Sequence, residues 1–252
     1  VVPRALGQEG KGLYTLLDTV ILKESHKRNI KGMTPKYSYQ ELGDMTKEEL
    51  HDIDYPGGLV LDAKPGLYDD VYIFDFKTLY PSIILTSNIG FDTISDKGDI
   101  KNPSGANFNS SPKSILATVI TEILTKRKEY KKKKLDLIEQ NKKDTPEYEA
   151  VEADEVIVKE LGNSIYGIMG AKWGRYFAER RIVESITLLG QWLLRSMDDF
   201  FSKRGYNVIL GDTDSVVIVG TKTLNIQKEL DEYHEYLKDR LEKELGVKLS
   251  YI

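Results

Sequence analysis

Two acidic residues lie at a tight turn between two apolar runs near the C-terminal end of the sequence. The run Gly211-Asp212-Thr213-Asp214 follows residues 206–210 and precedes residues 215–219, and both flanking runs are mainly aliphatic. This pattern predicts a β-hairpin whose turn carries two carboxylates, where removal from water is costly. An ordinary hairpin turn also favours Asp and Gly, so the turn alone leaves a purely structural role open.

A third acid, Asp75, lies in residues 70–76, whose β-branched and aromatic side chains predict a second strand. A buried Asp without a partner is unfavourable, whereas one that shares a divalent cation with acids of another strand is stable. No His lies beside these acids, and the sequence contains no cysteine. Oxygen ligands of this kind favour Mg²⁺ or Mn²⁺ over zinc.

The remaining sequence alternates between helical and extended patterns. Predicted helices cover residues 12–28, 111–141, 148–168, 179–203 and 225–245, and further strands are predicted at residues 59–62 and 247–252. Residues 29–55 and 95–111 are polar and typical of irregular loops. The short polar break at residues 143–146 predicts an antiparallel helical hairpin. The whole order predicts an α+β fold with an inserted helical lobe.

Charge and hydropathy narrow the class of protein only in part. The 252 residues carry a net charge of −4, although Lys and Arg concentrate between residues 126 and 134. Such a run is also typical of a solvated helix face, so charge alone does not identify a nucleic-acid binder. No apolar run reaches the roughly 18 residues that a membrane helix needs, and the first residues lack the apolar core of a signal peptide. We therefore expect a cytoplasmic protein with no membrane partner.

Three segments together resemble the conserved motifs of family B DNA polymerases. Residues 75–84 (Asp-Phe-Lys-Thr-Leu-Tyr-Pro-Ser-Ile-Ile) are similar to motif A, and residues 159–167 (Lys-Glu-Leu-Gly-Asn-Ser-Ile-Tyr-Gly) to motif B. Residues 211–215 are similar to motif C, and Tyr55-Pro56-Gly57-Gly58 matches the Tyr-x-Gly-Gly segment that precedes the palm. The order of the motifs is that of the family, and their sequences resemble those of archaeal and tailed-phage replicative enzymes.

The resemblance implies an antiparallel palm sheet backed by helices, with an antiparallel helical-hairpin fingers subdomain inserted into it. It assigns residues 1–110 and 169–252 to the palm and residues 111–168 to the fingers. It also implies template-directed addition of deoxynucleotides to a primer 3′ end with two Mg²⁺ ions, which Mn²⁺ can replace. Asp75, Asp214 and the Phe76 carbonyl are the expected metal ligands, and Asp212 is a neighbouring catalytic acid.

The nucleotide contacts implied by the resemblance come from both parts of the fold. In motif A, the backbone amides of Thr78, Leu79 and Tyr80 would hold the β- and γ-phosphates, and Tyr80 would clash with a ribose 2′-hydroxyl. The residues assigned to the triphosphate are cationic or amide side chains of the fingers: Arg127, Lys131, Lys159 and Asn163. The residues assigned to DNA and the nascent base pair are Tyr166, Gly167, Gly57 and Gly58.

Two departures from the family pattern bear on activity. Leu210 stands where the family usually has Tyr before the Gly of motif C. The sequence also covers no exonuclease or thumb region, so we expect a fragment, a split subunit or a minimal enzyme. One alternative is a non-catalytic module that binds nucleotide or DNA, or that needs a separate chain bearing a thumb or exonuclease. Another is an RNA-making or reverse-transcribing enzyme, which Tyr80 as a sugar gate disfavours.

Overall fold

In the computed structural model, the chain divides into two compact units. The helical unit comprises Val1–Ile53 and Lys113–Arg180, and the sheet unit comprises Asp54–Pro112 and Arg181–Ile252. The structure describes residues 11–31, 46, 56–169, 180–221 and 223–250. No helix in these ranges is both long enough and apolar enough to span a membrane.

The elements follow one another in the order that the sequence pattern predicts. In chain order the helices are α1 (Lys11–Lys27), α2 (Leu79–Thr86), α3 (Ile115–Glu139), α4 (Pro146–Met169), α5 (Arg180–Lys203) and α6 (Ile226–Arg240), which continues into a π-helical turn (Leu241–Leu245). The strands are β1 (Val60–Leu61), β2 (Val71–Asp75), β3 (Ile100–Lys101), β4 (Asn107–Phe108), β5 (Asn207–Asp212) and β6 (Ser215–Val219). The fold is mixed α and β with antiparallel sheets, as predicted.

In the helical unit, α3 and α4 form an antiparallel pair. The Ser114 hydroxyl caps α3 by accepting a hydrogen bond from the Ala117 amide at 3.0 Å. Helix α4 begins with Pro146, whose fixed φ and missing N–H suit the first turn of a helix. Near the connection between them, Leu137 and Tyr148 are buried against each other. The predicted helical hairpin is therefore present in this unit.

Helix α1 belongs to the helical unit, whereas the sequence prediction placed residues 1–110 with the sheet. Its Leu17 and Ile21 side chains are fully buried, and α1 packs against both α3 and α4. Arg28, which follows α1, donates to the Thr118 hydroxyl at 2.7 Å. The reason for the difference is long-range packing, which the local pattern of α1 does not encode.

In the sheet unit, four antiparallel strands are ordered β1-β5-β6-β2. Strand β2 alternates strictly, because Phe74 is buried while Ile73 and Asp75 are exposed. Period-two alternation places successive side chains on opposite faces of a sheet. Phe74 packs on Phe201 of α5 with ring centroids 4.5 Å apart, so Asp75 points to the face opposite α5.

Two local predictions need correction. Residues 95–111, predicted as loop, contain the short antiparallel pair β3–β4. The sequence pattern missed this pair because strands of two residues are too short to give a period-two signal.

Residues 247–250 were predicted to lie in a strand but do not form one, and residues 251–252 lie outside the described residues. Gly246 adopts the left-handed conformation at φ 69°, and the Val247 amide donates to the Leu241 carbonyl at 3.1 Å. The chain therefore turns back on the helix end. Most of the predicted irregular segment, residues 29–55, also lies outside the described residues.

Candidate active site

The acids of the sheet unit are placed by strand pairing. Asp75 is opposite Ser215 in the β2–β6 register, and Asp212 is opposite the same Ser215 in the β5–β6 register. The Phe76 amide donates to the Asp214 carbonyl at 2.8 Å, which fixes the end of β2 beside the hairpin turn. The structure therefore brings Asp75 next to the turn that carries Asp212 and Asp214, as the sequence predicts.

The turn itself is held by Thr213. This residue has φ 49°, a left-handed conformation that is uncommon for a β-branched residue. Its amide donates to the Leu59 carbonyl at 2.8 Å, and its hydroxyl donates to Asp212 Oδ1 at 2.9 Å. One carboxylate oxygen of Asp212 is thus engaged by the turn, which separates its role from that of Asp214.

Electrostatics couples the three acids at Asp214. Burial raises the pKa of the Asp214 carboxyl above its ordinary value, and the negative charge of Asp75 raises it further. A hydrogen bond from the residue's own backbone amide acts in the opposite direction, and Asp212 contributes a smaller increase. Like charges in close proximity repel, so this position would gain from a cation.

The donor chemistry fits a hard divalent cation. Carboxylate oxygens such as those of Asp75 and Asp214 are the ligand type that Mg²⁺ prefers. Within the described parts of the chain, no group of three or more His, Cys, Asp or Glu side chains is placed to hold a metal ion.

The glycine-rich segment before β1 packs on the same turn. A Cβ atom on Gly58 would lie 2.7 Å from Thr213 Oγ1, which is too close for any side chain. The Gly57 carbonyl accepts a hydrogen bond from Gln191 of α5 at 2.8 Å. Gly58 is therefore required for the close approach of residues 56–59 to the turn.

Helix α2 carries the motif A residues that follow Asp75. It begins at Leu79 after Thr78, which has φ 56° and makes no side-chain hydrogen bond that caps the helix. Tyr80 lies in the first turn and is half-buried, and its Cε1 lies 3.4 Å from the position that a Cβ atom on Gly190 of α5 would occupy. The helix start places Thr78, Leu79 and Tyr80 where a helix N-terminus favours negative charge.

The predicted nucleotide-binding side chains of the helical unit differ in their surroundings. Arg127 Nε is 3.2 Å from Glu155 Oε1 of the facing helix. Lys131 and Lys159 are exposed to solvent, and Tyr166 is half-buried. Gly167 lies within α4, as does the backbone of Asn163, whose side chain is outside the described residues.

Several positions near the predicted site were not singled out from the sequence. Glu155 pairs with Arg127, 28 positions away in the sequence. The Gln191 side-chain amide donates to the Gly57 carbonyl, 134 positions away. The one signal that could have indicated such a position is Gly190, because an isolated glycine within a helical pattern usually has a packing reason. The other contacts follow from tertiary packing alone.

Comparisons with known proteins agree on one family. Residues 11–239 match the profile described as DNA polymerase family B. A DNA polymerase of Archaeoglobus fulgidus is 29% identical over 196 residues, 76% of this chain and 24% of the relative. The DNA polymerase alpha catalytic subunit of Dictyostelium discoideum is 34% identical over 204 residues, 75% of this chain and 13% of the relative.

A solved structure supports the same fold. The structure of the family B DNA polymerase from the hyperthermophilic archaeon Pyrobaculum calidifontis aligns with a TM-score of 0.58 at 22% identity, over 94% of this chain and 28% of that one. At this identity the likeness concerns the fold alone. The chain spans 24% and 13% of the length of the two curated relatives named above.

Proposed function

The chain belongs to family B of the DNA polymerases, and we propose that it is the palm and fingers part of a template-directed polymerase that adds deoxynucleotides to a primer 3′ end. In this proposal the sheet unit is the palm, and α3 and α4 of the helical unit are the fingers. Primer-template DNA and deoxynucleoside triphosphates are the substrates. The names of the relatives support DNA synthesis in general, and the roles of single residues rest on the resemblance.

The observation that carries the proposal is the placement of Asp75 beside Asp214. Two strands that are far apart in the sequence deliver carboxylates to one end of the sheet, and the charge of Asp75 raises the pKa of Asp214. In a purely structural hairpin this repulsion would only destabilise the fold, whereas in a cation site the bound ion offsets it. The exposed position of Asp75, on the face opposite α5, leaves room for a substrate there.

Each group of residues has a distinct role in this proposal. Two bound Mg²⁺ ions would stabilise the charge on the attacking and leaving oxygens. Asp75 and Asp214 would hold these ions, with the Phe76 carbonyl as an additional ligand. Tyr80 packs under the incoming sugar and excludes a 2′-hydroxyl, and the start of α2 receives the β- and γ-phosphates. Arg127, Lys131, Lys159 and Asn163 bind the triphosphate, while Tyr166, Gly167, Gly57 and Gly58 contact DNA or the new base pair.

The proposal is tested by primer extension at low salt with and without Mg²⁺. We expect extension to need the metal and to fall by at least roughly a thousandfold in Asp75→Ala and in Asp214→Ala. Asp69→Ala is the matched control, since Asp69 is an exposed acid just before β2. If Asp75→Ala extended primers as well as this control, the two-metal assignment would be wrong.

The second candidate is a palm and fingers module that binds nucleotide or DNA and whose activity needs a separate thumb-bearing chain. Activity that appears only after a thumb-bearing chain is added would favour this candidate over an autonomous enzyme.

The sugar preference separates DNA synthesis from RNA synthesis at the same site. We expect Tyr80→Ala to increase ribonucleotide incorporation relative to deoxynucleotide incorporation, because the ring occupies the space that a 2′-hydroxyl needs. An unchanged ratio would remove Tyr80 from this role without affecting the assignment of the acids.

A further inference from the structure

The cations between residues 126 and 134 lie in α3, and the structure separates them into two groups. Arg127 and Lys134 face α4, where they pair with Glu155 and Glu152 at 3.2 and 2.8 Å. The remaining cations of the run are exposed lysines that make no ion pair with any residue that the structure describes: Lys126, Lys128, Lys131, Lys132 and Lys133. Their charge is therefore available to a ligand.

Two of these exposed lysines lie among acids. Residues three or four positions apart are neighbours on the surface of a helix. Lys126 has Glu122 and Glu129 at these positions. Lys133 likewise has Glu129 and Asp136. This side of α3 thus carries the mixed charges that are typical of a solvated helix face.

Lys128 has the opposite surroundings. The residues three or four positions from it are two cations and two uncharged residues: Leu124, Thr125, Lys131 and Lys132. Lys131 also has no acid at these positions, whereas Lys132 has two and forms the edge of the cationic surface. Because like charges one turn apart disfavour a helix, the pair Lys128 and Lys132 is unfavourable for α3 unless an anion lies against it.

The pair Lys128 and Lys132 faces away from α4. On the other side of α3, Leu137 and Tyr130 pack against Tyr148 of α4. An α-helix turns by about 100° per residue, which places Lys128 about 180° and Lys132 about 140° from Leu137 around the axis. Both lysines are exposed, so this side of α3 is open to an extended polyanion.

We propose that Lys128 and Lys132 bind the phosphate backbone of DNA at a site separate from the triphosphate site to which Arg127 and Lys131 are assigned. This inference rests on the proposed function, which makes DNA the polyanion that the chain meets. Lysine is a point charge without a planar set of donors, and no aromatic residue lies three or four positions from either lysine. The contact is therefore with phosphates and does not depend on base sequence.

The test measures DNA binding by fluorescence anisotropy, with the full 252-residue chain and without nucleotide. The probes are a labelled single strand and a duplex of the same length, each over a range of salt concentrations. For Lys128→Gln combined with Lys132→Gln, we expect a roughly tenfold loss of affinity at low salt. For the single strand, the slope of log affinity against log salt should become shallower by about 1.4, because two phosphate contacts are lost. A larger loss with the single strand assigns the surface to unpaired template, and a larger loss with the duplex assigns it to paired DNA.

Lys126→Gln combined with Lys133→Gln is the matched control, because it removes the same two charges from the mixed side of α3. This control should lower the affinity by less than about twofold. Equal losses in the two double variants would overturn the proposal, since the effect would then follow net charge alone. Absence of DNA binding by the parent at low salt would overturn it as well.

Primer extension separates this surface from the triphosphate site and from the metal site. At saturating DNA, the KM for nucleotides should be the same in the parent and in Lys128→Gln combined with Lys132→Gln. A raised KM with unchanged DNA binding would overturn the proposal, because it would assign the two lysines to the triphosphate. Asp75→Ala should bind DNA as the parent does, and extension by that variant would count against the proposed function while leaving the binding comparison intact.

Discussion

Each unit contains an arginine that pairs with a glutamate of another element, but the two pairs differ in geometry and in the number of hydrogen bonds. In the sheet unit, Arg204 donates to both carboxylate oxygens of Glu229 at 2.9 and 3.1 Å, and the Tyr206 hydroxyl adds a bond of 2.9 Å. The Glu229 side chain is only 7% exposed. In the helical unit, Arg127 makes a single contact of 3.2 Å with Glu155.

The difference indicates which ion pair is difficult to separate and which can be exchanged for a contact with a ligand. A buried carboxylate with two bonds from one guanidinium and a third from a phenol is costly to separate. A single, longer contact contributes less and is more easily exchanged for a contact with a ligand. Arg127, which the family resemblance assigns to the triphosphate, has the weaker contact, while Arg204 has the stronger one.

The largest expected effect tests the comparison directly, with the same substitution in both units. Glu229→Ala leaves Tyr206 without its acceptor and Arg204 with Glu232 as its remaining acidic partner, and it should lower the local free energy of unfolding by about 2–3 kcal/mol. Glu155→Ala, its counterpart, removes one bond to Arg127 and should lower it by about 1 kcal/mol. Hydrogen exchange, measured for peptides of each unit, gives both values. Equal losses would show that the two pairs are equivalent and that the comparison is wrong.

The second prediction concerns the contact that holds the hairpin turn of the sheet unit. Gly58→Ala places a Cβ atom 2.7 Å from Thr213 Oγ1, so the Thr213 side chain or the turn must shift, at an expected loss of about 1–2 kcal/mol in stability and roughly tenfold in extension. Thr213→Ala should recover part of both losses, because it removes the atom that clashes. Gly57→Ala is the control for stability, since nothing lies within 4 Å of its added methyl group. Equal destabilisation by both glycine substitutions would contradict the assigned contact.

The same contrast explains what the sequence could predict. The alternation around Phe74 and the acids of the turn are local signals, and the predicted strands and hairpin are confirmed as β2, β5 and β6. The helix that begins at Lys11 and the hairpin of α3 and α4 also follow from local periodicity. Local patterns therefore identify the candidate acids and the elements that carry them.

The parts that the sequence could not predict depend on contacts between distant residues. The burial of α1 in the helical unit, the Arg127–Glu155 pair and the hydrogen bond from Gln191 to Gly57 each join segments that no periodicity relates. The motif indicated Arg127 as a triphosphate ligand but not the acid that occupies it. Sequence patterns thus predicted the residue types of the site, but not the acid that competes for Arg127 or the packing between distant segments.

The third prediction uses that competition. Glu155→Gln removes the negative charge beside Arg127 and should lower the KM for nucleotides by roughly two- to fivefold, an effect that shrinks at high salt. Glu147→Gln is the matched control, because Glu147 lies on the same helix and pairs with Lys142 at 3.9 Å. A KM that rises in Glu155→Gln would mean that Glu155 orients Arg127 for the nucleotide, and the pair would then be fixed rather than exchangeable.

The smallest expected effect concerns the repulsion among the acids of the sheet unit. Because the folded pKa of Asp214 is raised above its ordinary value of 3.8, ionisation of this carboxyl disfavours the folded state. The penalty is absent well below pH 3.8, develops as the pH rises through the interval between the ordinary and the raised pKa, and is complete above it. Asp214→Asn should therefore raise the free energy of unfolding at pH 7 by less than about 1 kcal/mol and change it little in acid.

Chemical denaturation at the two pH values, with and without Mg²⁺, measures this gain. Mg²⁺ should reduce the advantage of the Asn variant, because a bound cation offsets the same repulsion in the parent. Asp69→Asn removes an exposed acid outside the pair and should show neither the gain at pH 7 nor its loss with the metal. A gain of equal size at both pH values would trace the effect to packing, and Asp214 would then no longer be an acid held ready for a cation.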